Sequence, residues 1–307
     1  MQTPPYLKTG DEIRIISTAR KISLEELQPA IKRVESWGMK ISFGKNLFRE
    51  DHQFAGTRKE RIADLQDALD SESVKAILCA RGGYGSVQLI DSIDFQKFQE
   101  KPKWLIGYSD VTVLHCHINQ IFCIETLHAN MPINFSPFQQ ADPSAETIRK
   151  ALSGETLSYD FEAEKASVLN FEDSLQAPIF GGNLSILYSL SGSVSQLKKA
   201  GHFIFMEDLD EYLYHIDRMM MNLRRSGLFE NCKGILVGGM SDMNDNTIPY
   251  GRTAKEIILE NTIDLDVPVV FGVPAGHIKL NKALIMGREV RLMKEGKNIK
   301  MVFNGGA

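Results

Sequence analysis

Three residues of this chain carry the chemistry of an activated nucleophile, and each stands just beyond an apolar, strand-like run. Trp104–Gly107 (WLIG) leads into Tyr108-Ser109-Asp110, Phe203–Met206 (FIFM) into Glu207, and Val267–Val273 (VPVVFGV) into Pro274-Ala275-Gly276-His277. In an open α/β sheet, ligands bind beyond the carboxyl ends of the strands. A serine, a carboxylate and an imidazole at such exits are the parts of acyl transfer. The imidazole takes the serine proton, and the carboxylate fixes the ring's tautomer and stabilises its cationic form.

Taken singly, each residue has a plainer reading. Ser109 in GYSD lies between strand and helix, as in a nucleophile elbow, but the second glycine of G-x-S-x-G is missing. Ser109 is equally suited to capping the following helix. Glu207 begins the acidic cluster EDLDE, which reads as the polar start of the next helix, and His277 simply follows a glycine. The joint occurrence at three strand exits is what favours chemistry.

The segment Arg81–Ser86 (RGGYGS) offers a fourth feature. A glycine-rich turn between strand and helix exposes backbone N–H groups to an anion. Such a turn fits a phosphate, the oxyanion of an acyl-transfer intermediate, or only a backbone that needs positive φ. It lacks the Lys-Ser/Thr of a P-loop and the G-x-G-x-x-G of a dinucleotide fold. Metal chemistry finds no support: His115 and His117 in LHCH are two apart on a helix and face different ways, and no HExxH or Cys/His quartet occurs.

These groups need a frame, and the pattern supplies one. Glu12–Ser17 reads as a strand, Ser23–Trp37 as a serine-capped amphipathic helix, and Met39–Phe43 as a strand. Thr57–Leu69 follows as a threonine-capped helix, Lys75–Ala80 as a strand, and Asp110–Phe122 as one helix. This alternation predicts a parallel sheet layered by helices. The pattern weakens between about Gln139 and Asp173. We therefore expect an N-terminal α/β domain over residues 1–160, a linker over 161–174, and a second domain over 175–307. The latter holds strands at Phe203–Met206, Gly234–Gly238 and Val267–Val273, a long helix near Glu211–Gly227, and two or three short antiparallel strands in the tail. The methionine run in RMMMNLRR reads as packing.

With 307 residues, 43% hydrophobic and 24% charged, the chain is long enough for two ordinary globular domains. A net charge of −4 gives no basic excess for nucleic acid. No stretch reaches the ~18 apolar residues that span a bilayer. MQTPPYLKTGDEIRIIS has no apolar core of a signal peptide, so a cytoplasmic protein is expected. Four scattered cysteines form no CxxC pair, and those in AILCA and HINQIFC are expected to be reduced and buried.

Six segments, in order, resemble the LD-carboxypeptidase family of serine peptidases: LKTGDEIRIIS, ARGGYGS, IGYSDVTVLH, APIFGGNLSIL, FMEDLDEYLYHIDRMM and GVPAGHIKLNKALIMG. The resemblance implies a Ser109-Glu207-His277 triad. It also implies an oxyanion hole made by the backbone amide of Gly82 or Gly83 and that of Asp110. The fold it implies is a flavodoxin-like, class I amidotransferase-like N-terminal domain with a smaller β-rich C-terminal domain, in a homodimer that uses no cofactor. The implied reaction is hydrolysis of the bond between an L-diamino acid and terminal D-alanine in a murein tetrapeptide. Two departures are expected to reshape the pocket: IISTAR where relatives commonly have an Ala-Pro-Ser turn, and alanine for a frequent glycine in Leu127-His128-Ala129-Asn130. An immunity peptidase of the microcin C type, cleaving an aminoacyl-nucleotide, resembles the same family, but those relatives tend to be longer, with an added aromatic loop. A non-catalytic protein holding a nucleotide phosphate on RGGYGS is the reading from another class.

Overall fold

The computed structural model describes residues 1–305. Its strands are β1 (Glu12–Ile16), β2 (Lys40–Phe43), β3 (Val74–Cys79), β4 (Trp104–Gly107), β5 (Thr126–His128), β6 (Ser158–Glu162) and β7 (Ser174–Asn183). They continue with β8 (Phe203–Leu209), β9 (Gly234–Ser241), β10 (Val269–Phe271), β11 (Leu284–Met286), β12 (Glu289–Glu295) and β13 (Asn298–Phe303). The main helices are α1 (Leu24–Ser36), α2 (Arg58–Asp70), α3 (Gln96–Glu100), α4 (Thr112–His117), α5 (Pro143–Ser153), α6 (Leu184–Ser189), α7 (Leu213–Arg225) and α8 (Ala254–Glu260). No helix among the described residues is long and apolar enough to cross a membrane.

The first sheet has six strands in the order β11-β5-β4-β3-β1-β2. The run β2-β1-β3-β4-β5 is parallel throughout, which is the flavodoxin-like strand order. Its helices begin where the side chains dictate. Ser23 accepts from the Glu26 amide while the Glu26 carboxylate accepts from the Ser23 amide, and Thr57 and Glu60 repeat this reciprocal cap on α2. The second sheet has seven strands, β10-β9-β8-β7-β12-β13-β6. Its β7–β10 half is parallel and its β6, β12, β13 half antiparallel. The tail does form antiparallel strands, but its first, β11, returns to pair with β5 at the edge of the first sheet.

Central strands are buried on both faces. Ile13, Ile15, Leu78 and Ile106 point into one apolar cluster, while their neighbours Ile16, Ile77, Cys79 and Leu105 point into another. Both clusters take in residues of the second sheet, Phe203 and Phe205 on one side and Ile204 and Met206 on the other. The two sheets therefore share their core. Met219 and Met220 pack into it, as the methionine run suggests, and Met221 is exposed.

Three expectations are corrected. Asp110–Phe122 is not one α-helix: a 3₁₀ turn (Ser109–Val111) opens it, α4 follows, and a π-turn (Ile118–Phe122) ends it at Cys123, which has φ +53°. Cys123 is thereby exposed, unlike Cys79, Cys116 and Cys232. The third is β8, which does not stop at Met206 but runs on through its acidic residues to Leu209.

The close pairing of β7 with β8 depends on backbone without a side chain at one position. Gly181 has φ +128°, pairs with Phe205, and a Cβ on it would lie 1.9 Å from the Phe205 carbonyl oxygen. Gly192, at φ +82°, has open space around it. Gly181→Ala should therefore lose about 3 kcal/mol or more in denaturant unfolding, against ~1 kcal/mol for Gly192→Ala. Equal losses would contradict the packing argument.

Candidate active site

Ser109 follows β4 after one residue, Tyr108, and adopts φ +60°, a left-handed conformation that costs a residue with a Cβ of the order of 1–2 kcal/mol. The sharp turn sets the hydroxyl at the mouth of the sheet, the geometry of a nucleophile elbow achieved without the second glycine. The close neighbour is Gly82, where a Cβ would sit 3.2 Å from Ser109 Oγ. The amides of Gly82 and Gly83 find no acceptor among the described residues. Asp110 lies in the first helical turn, where N–H groups have no intrahelical partner. Its carboxylate, nearly fully buried, accepts the Ser86 amide at 2.8 Å and is pushed up in pKa by that burial. The helical turn that opens at Ser86 already gives its amide to a carboxyl group of the protein's own, which leaves a phosphate less to bind.

Glu207 is fully buried and binds His277 through one oxygen. Its Oε2 accepts from His277 Nδ1 at 2.6 Å and from the His277 backbone amide at 2.9 Å. Gly276, at φ +102°, allows this approach: a Cβ there would lie 2.7 Å from the carboxylate. The imidazole packs on Tyr108, ring centres 4.7 Å apart. Burial alone would lower the pKa of His277, but the hydrogen bond and charge of Glu207, with the charge of Asp208, outweigh it and raise it. With the proton held on Nδ1, the distal Nε2 is the ring's free base.

Ser109, Asp110, Gly82, Gly83 and His277 line one cleft of about 580 Å³, and Glu207 lies behind His277. Ser109 and His277 make no direct hydrogen bond here. Such contacts often tighten only when substrate binds.

The acidic cluster departs from its plain sequence reading. EDLDE is not a helix start, since α7 begins at Leu213. A register shift beside β9 brackets Glu207, and the two carboxylates next to each other on β8 point to different partners. Asp208 accepts from Asn183 Nδ2 and from the amides of Ser185 and Leu209. Burial first, and then the charge of Glu207, push its pKa up to about 7.

Sequence reasoning missed the residues that tie the halves together. Thr112, one helical turn past Ser109, accepts the Asn183 amide at 3.0 Å. Asn183 pairs with Glu207 across β7–β8 and donates to Asp208. Asn281 accepts the Gly276 amide and donates to Asn130 beyond β5. The signal for Asn183 was its place after two glycines in APIFGGN; Asn281 carried none. His115 is a core residue bonded to Thr126 and the Gly107 carbonyl, its pKa lowered by burial to about 4. Among the described residues no cluster of three or more His, Cys, Asp or Glu is placed to hold a metal ion.

Asp208 generates a stability prediction. Its folded pKa lies above its ordinary value of 3.8, so the folded state holds this proton more tightly than the unfolded chain. The resulting stabilisation is present at low pH and is lost as pH rises from about 4 to about 7. Asp208→Asn should remove that part of the slope in unfolding free energy. An unchanged slope would show that Asp208 titrates normally.

Two family models cover the chain: LD-carboxypeptidase N-terminal domain over residues 13–129 and LD-carboxypeptidase C-terminal domain over 176–292. A probable murein peptide carboxypeptidase of Bacillus subtilis is 31% identical over 294 residues, 94% of this chain and 91% of that protein. A murein tetrapeptide carboxypeptidase of Pseudomonas aeruginosa is 25% identical, with 94% of each chain covered. Two solved structures share the fold. Muramoyltetrapeptide carboxypeptidase from Oxalobacter formigenes has a TM-score of 0.83 at 24% identity over 95% of this chain and 98% of that one. MccF in complex with glutamyl sulfamoyl guanosine has a TM-score of 0.85 at 20% identity over 99% of each. Sequence, domain order and fold agree: the chain belongs to the LD-carboxypeptidase family.

Proposed function

We propose that this enzyme is a serine carboxypeptidase that removes terminal D-alanine from murein tetrapeptides, with Ser109 as nucleophile, His277 as general base and acid, and Glu207 as the orienting carboxylate. The observation that carries the assignment is the imidazole of His277, held at Nδ1 by a buried carboxylate in the cleft that Ser109 enters. His277 Nε2 takes the Ser109 proton as Oγ attacks the carbonyl carbon of the L-centre of the diamino acid. The oxyanion meets the amide of Gly82 or Gly83 and that of Asp110. Collapse breaks the C–N bond, and His277 returns the proton to the departing D-alanine amine. Water, deprotonated by His277, then releases the tripeptide from Ser109.

The murein peptide carboxypeptidase relatives support this substrate class over the aminoacyl-nucleotide reading. So does the lining: Tyr108, the aromatic residue in the cleft wall, is buried against His277 and offers no free face to a nucleobase. The proposal includes action in the cytoplasm as a homodimer, which fractionation and sedimentation test.

Incubation with L-Ala-D-Glu-diaminopimelate-D-Ala should give, by mass, loss of one D-alanine; an intact peptide would refute the substrate assignment. Ser109→Ala should lower kcat by about a million-fold while leaving the fold intact. Activity should survive dialysis against a strong chelator, because the electrophilic help comes from backbone amides.

The pH profile has a definite sign. The base must be neutral, and the pKa of His277 is raised above its ordinary 6.5, so the acid limb of kcat/KM should lie above that value. Glu207→Gln removes the charge that raises it and can donate to the ring, favouring the wrong tautomer. The limb should move down, and kcat should fall by roughly ten thousand-fold. A limb that stays in place would remove Glu207 from its role.

A further inference from the structure

Three arginines surround the glycine turn, and two are engaged by the protein. Arg61 is buried and donates to the carbonyls of Thr18 and Gly85 and to Gln88. Arg81 donates to the Lys21 carbonyl and lies 3.6 Å from Glu26. Arg20 differs. Its backbone is fixed, since its carbonyl accepts from Ser17 Oγ at 2.6 Å and it bridges to Phe54. Its side chain lies along the turn: a Cβ on Gly83, which has φ +109°, would come within 2.6 Å of Arg20 Cδ and Nε. Arg20 lines the cleft that holds Ser109, and its guanidinium has no hydrogen-bond or ion-pair partner among the described residues.

The same cleft also carries the other sign. Asp210 and Glu211 line it as well, fixed by Asn244 and His215 respectively. A substrate carboxylate entering the cleft is repelled by these acids and drawn to the free cation beside the glycine turn. A guanidinium is matched to this task, because its planar fork accepts a carboxylate through two parallel hydrogen bonds.

Resting on the reaction proposed above, we infer that Arg20 binds the terminal carboxylate of the peptide. That carboxylate belongs to the leaving residue, one Cα beyond the scissile amide. Holding it against the turn sets the scissile carbonyl over Ser109 and makes the enzyme a carboxypeptidase, not an endopeptidase. Arg20 thus contacts substrate and decides specificity while taking no part in proton transfer.

The test compares the tetrapeptide acid with its C-terminal carboxamide in wild type, Arg20→Gln, Arg20→Lys and Arg81→Gln. Wild type should prefer the acid by about ten- to a hundredfold in kcat/KM, the scale of a charge-assisted pair. Arg20→Gln should lose that factor on the acid, chiefly in KM, and leave the carboxamide within about twofold of wild type. Arg20→Lys should keep part of the preference, as a point charge without the fork. The carboxamide rate also reports that each variant is folded. Unchanged preference in Arg20→Gln, or its loss in Arg81→Gln alone, would overturn the assignment of Arg20. Wild type that cleaves neither peptide would instead overturn the underlying reaction, and the inference with it.

Discussion

The structure depends on placing one carboxylate, Glu207, fully inside the protein and supplying it with donors there. An isolated carboxylate in an apolar interior is strongly unfavourable, and a second acid beside it makes matters worse. Consecutive positions on β8 separate the two. Glu207 gives one oxygen to two donors of His277, and Asp208 takes three donors from the other direction. The pKa of Asp208 yields, moving up to about 7, and part of the charge is relieved there. Without the two donors of His277, the Glu207 carboxylate would stand in the interior with no hydrogen-bond partner.

Those donors all come from the second sheet and the segments that follow its strands, whereas Ser109 comes from the first, which is why the sheets must share a core. Ser109 follows the fourth strand of one sheet, while Glu207 belongs to the other. The Asn183 amide bonded to Thr112 and the Asn281–Asn130 contact hold the two in register. Local strain is built into the cleft as well. Ser109 and Asp210 are non-glycine residues with φ near +60°, and Gly181, Gly182 and Gly276 occupy positions where a Cβ would collide with neighbours. Rules of local structure give way around the cleft because the surrounding core holds it in shape.

Much of the frame could be read from the sequence. Short continuous apolar runs marked the parallel strands, and the caps Ser23 and Thr57 marked helix starts through local hydrogen bonds. Ser109, Glu207 and His277 were visible because each follows an apolar run, and the structure brings them to one place. What failed to show depended on distant partners. EDLDE reads as solvated charge until His277, Asn183 and Ser185 donate hydrogen bonds to its first two acids inside the protein. Nothing local says that Leu284–Met286 pairs with β5 in preference to the strand after it. Cys123 looked buried because its neighbours are apolar, yet the left-handed turn at its own position carries it outward. Arg20 ends IISTAR, a departure expected to reshape the pocket, but nothing local says that its side chain lies along the glycine turn.

The central claim, that Ser109 is acylated, is tested most directly by rapid-quench intact-mass analysis with a depsipeptide substrate carrying D-lactate in place of D-alanine. An ester acylates faster than an amide, so hydrolysis of the acyl-enzyme should become limiting and the intermediate should accumulate. The account predicts a protein heavier by one tripeptidyl group within the first turnover, with the adduct mapping to Ser109 after digestion. Release of the tripeptide with no covalent adduct at any time, or an adduct on another residue, would contradict it.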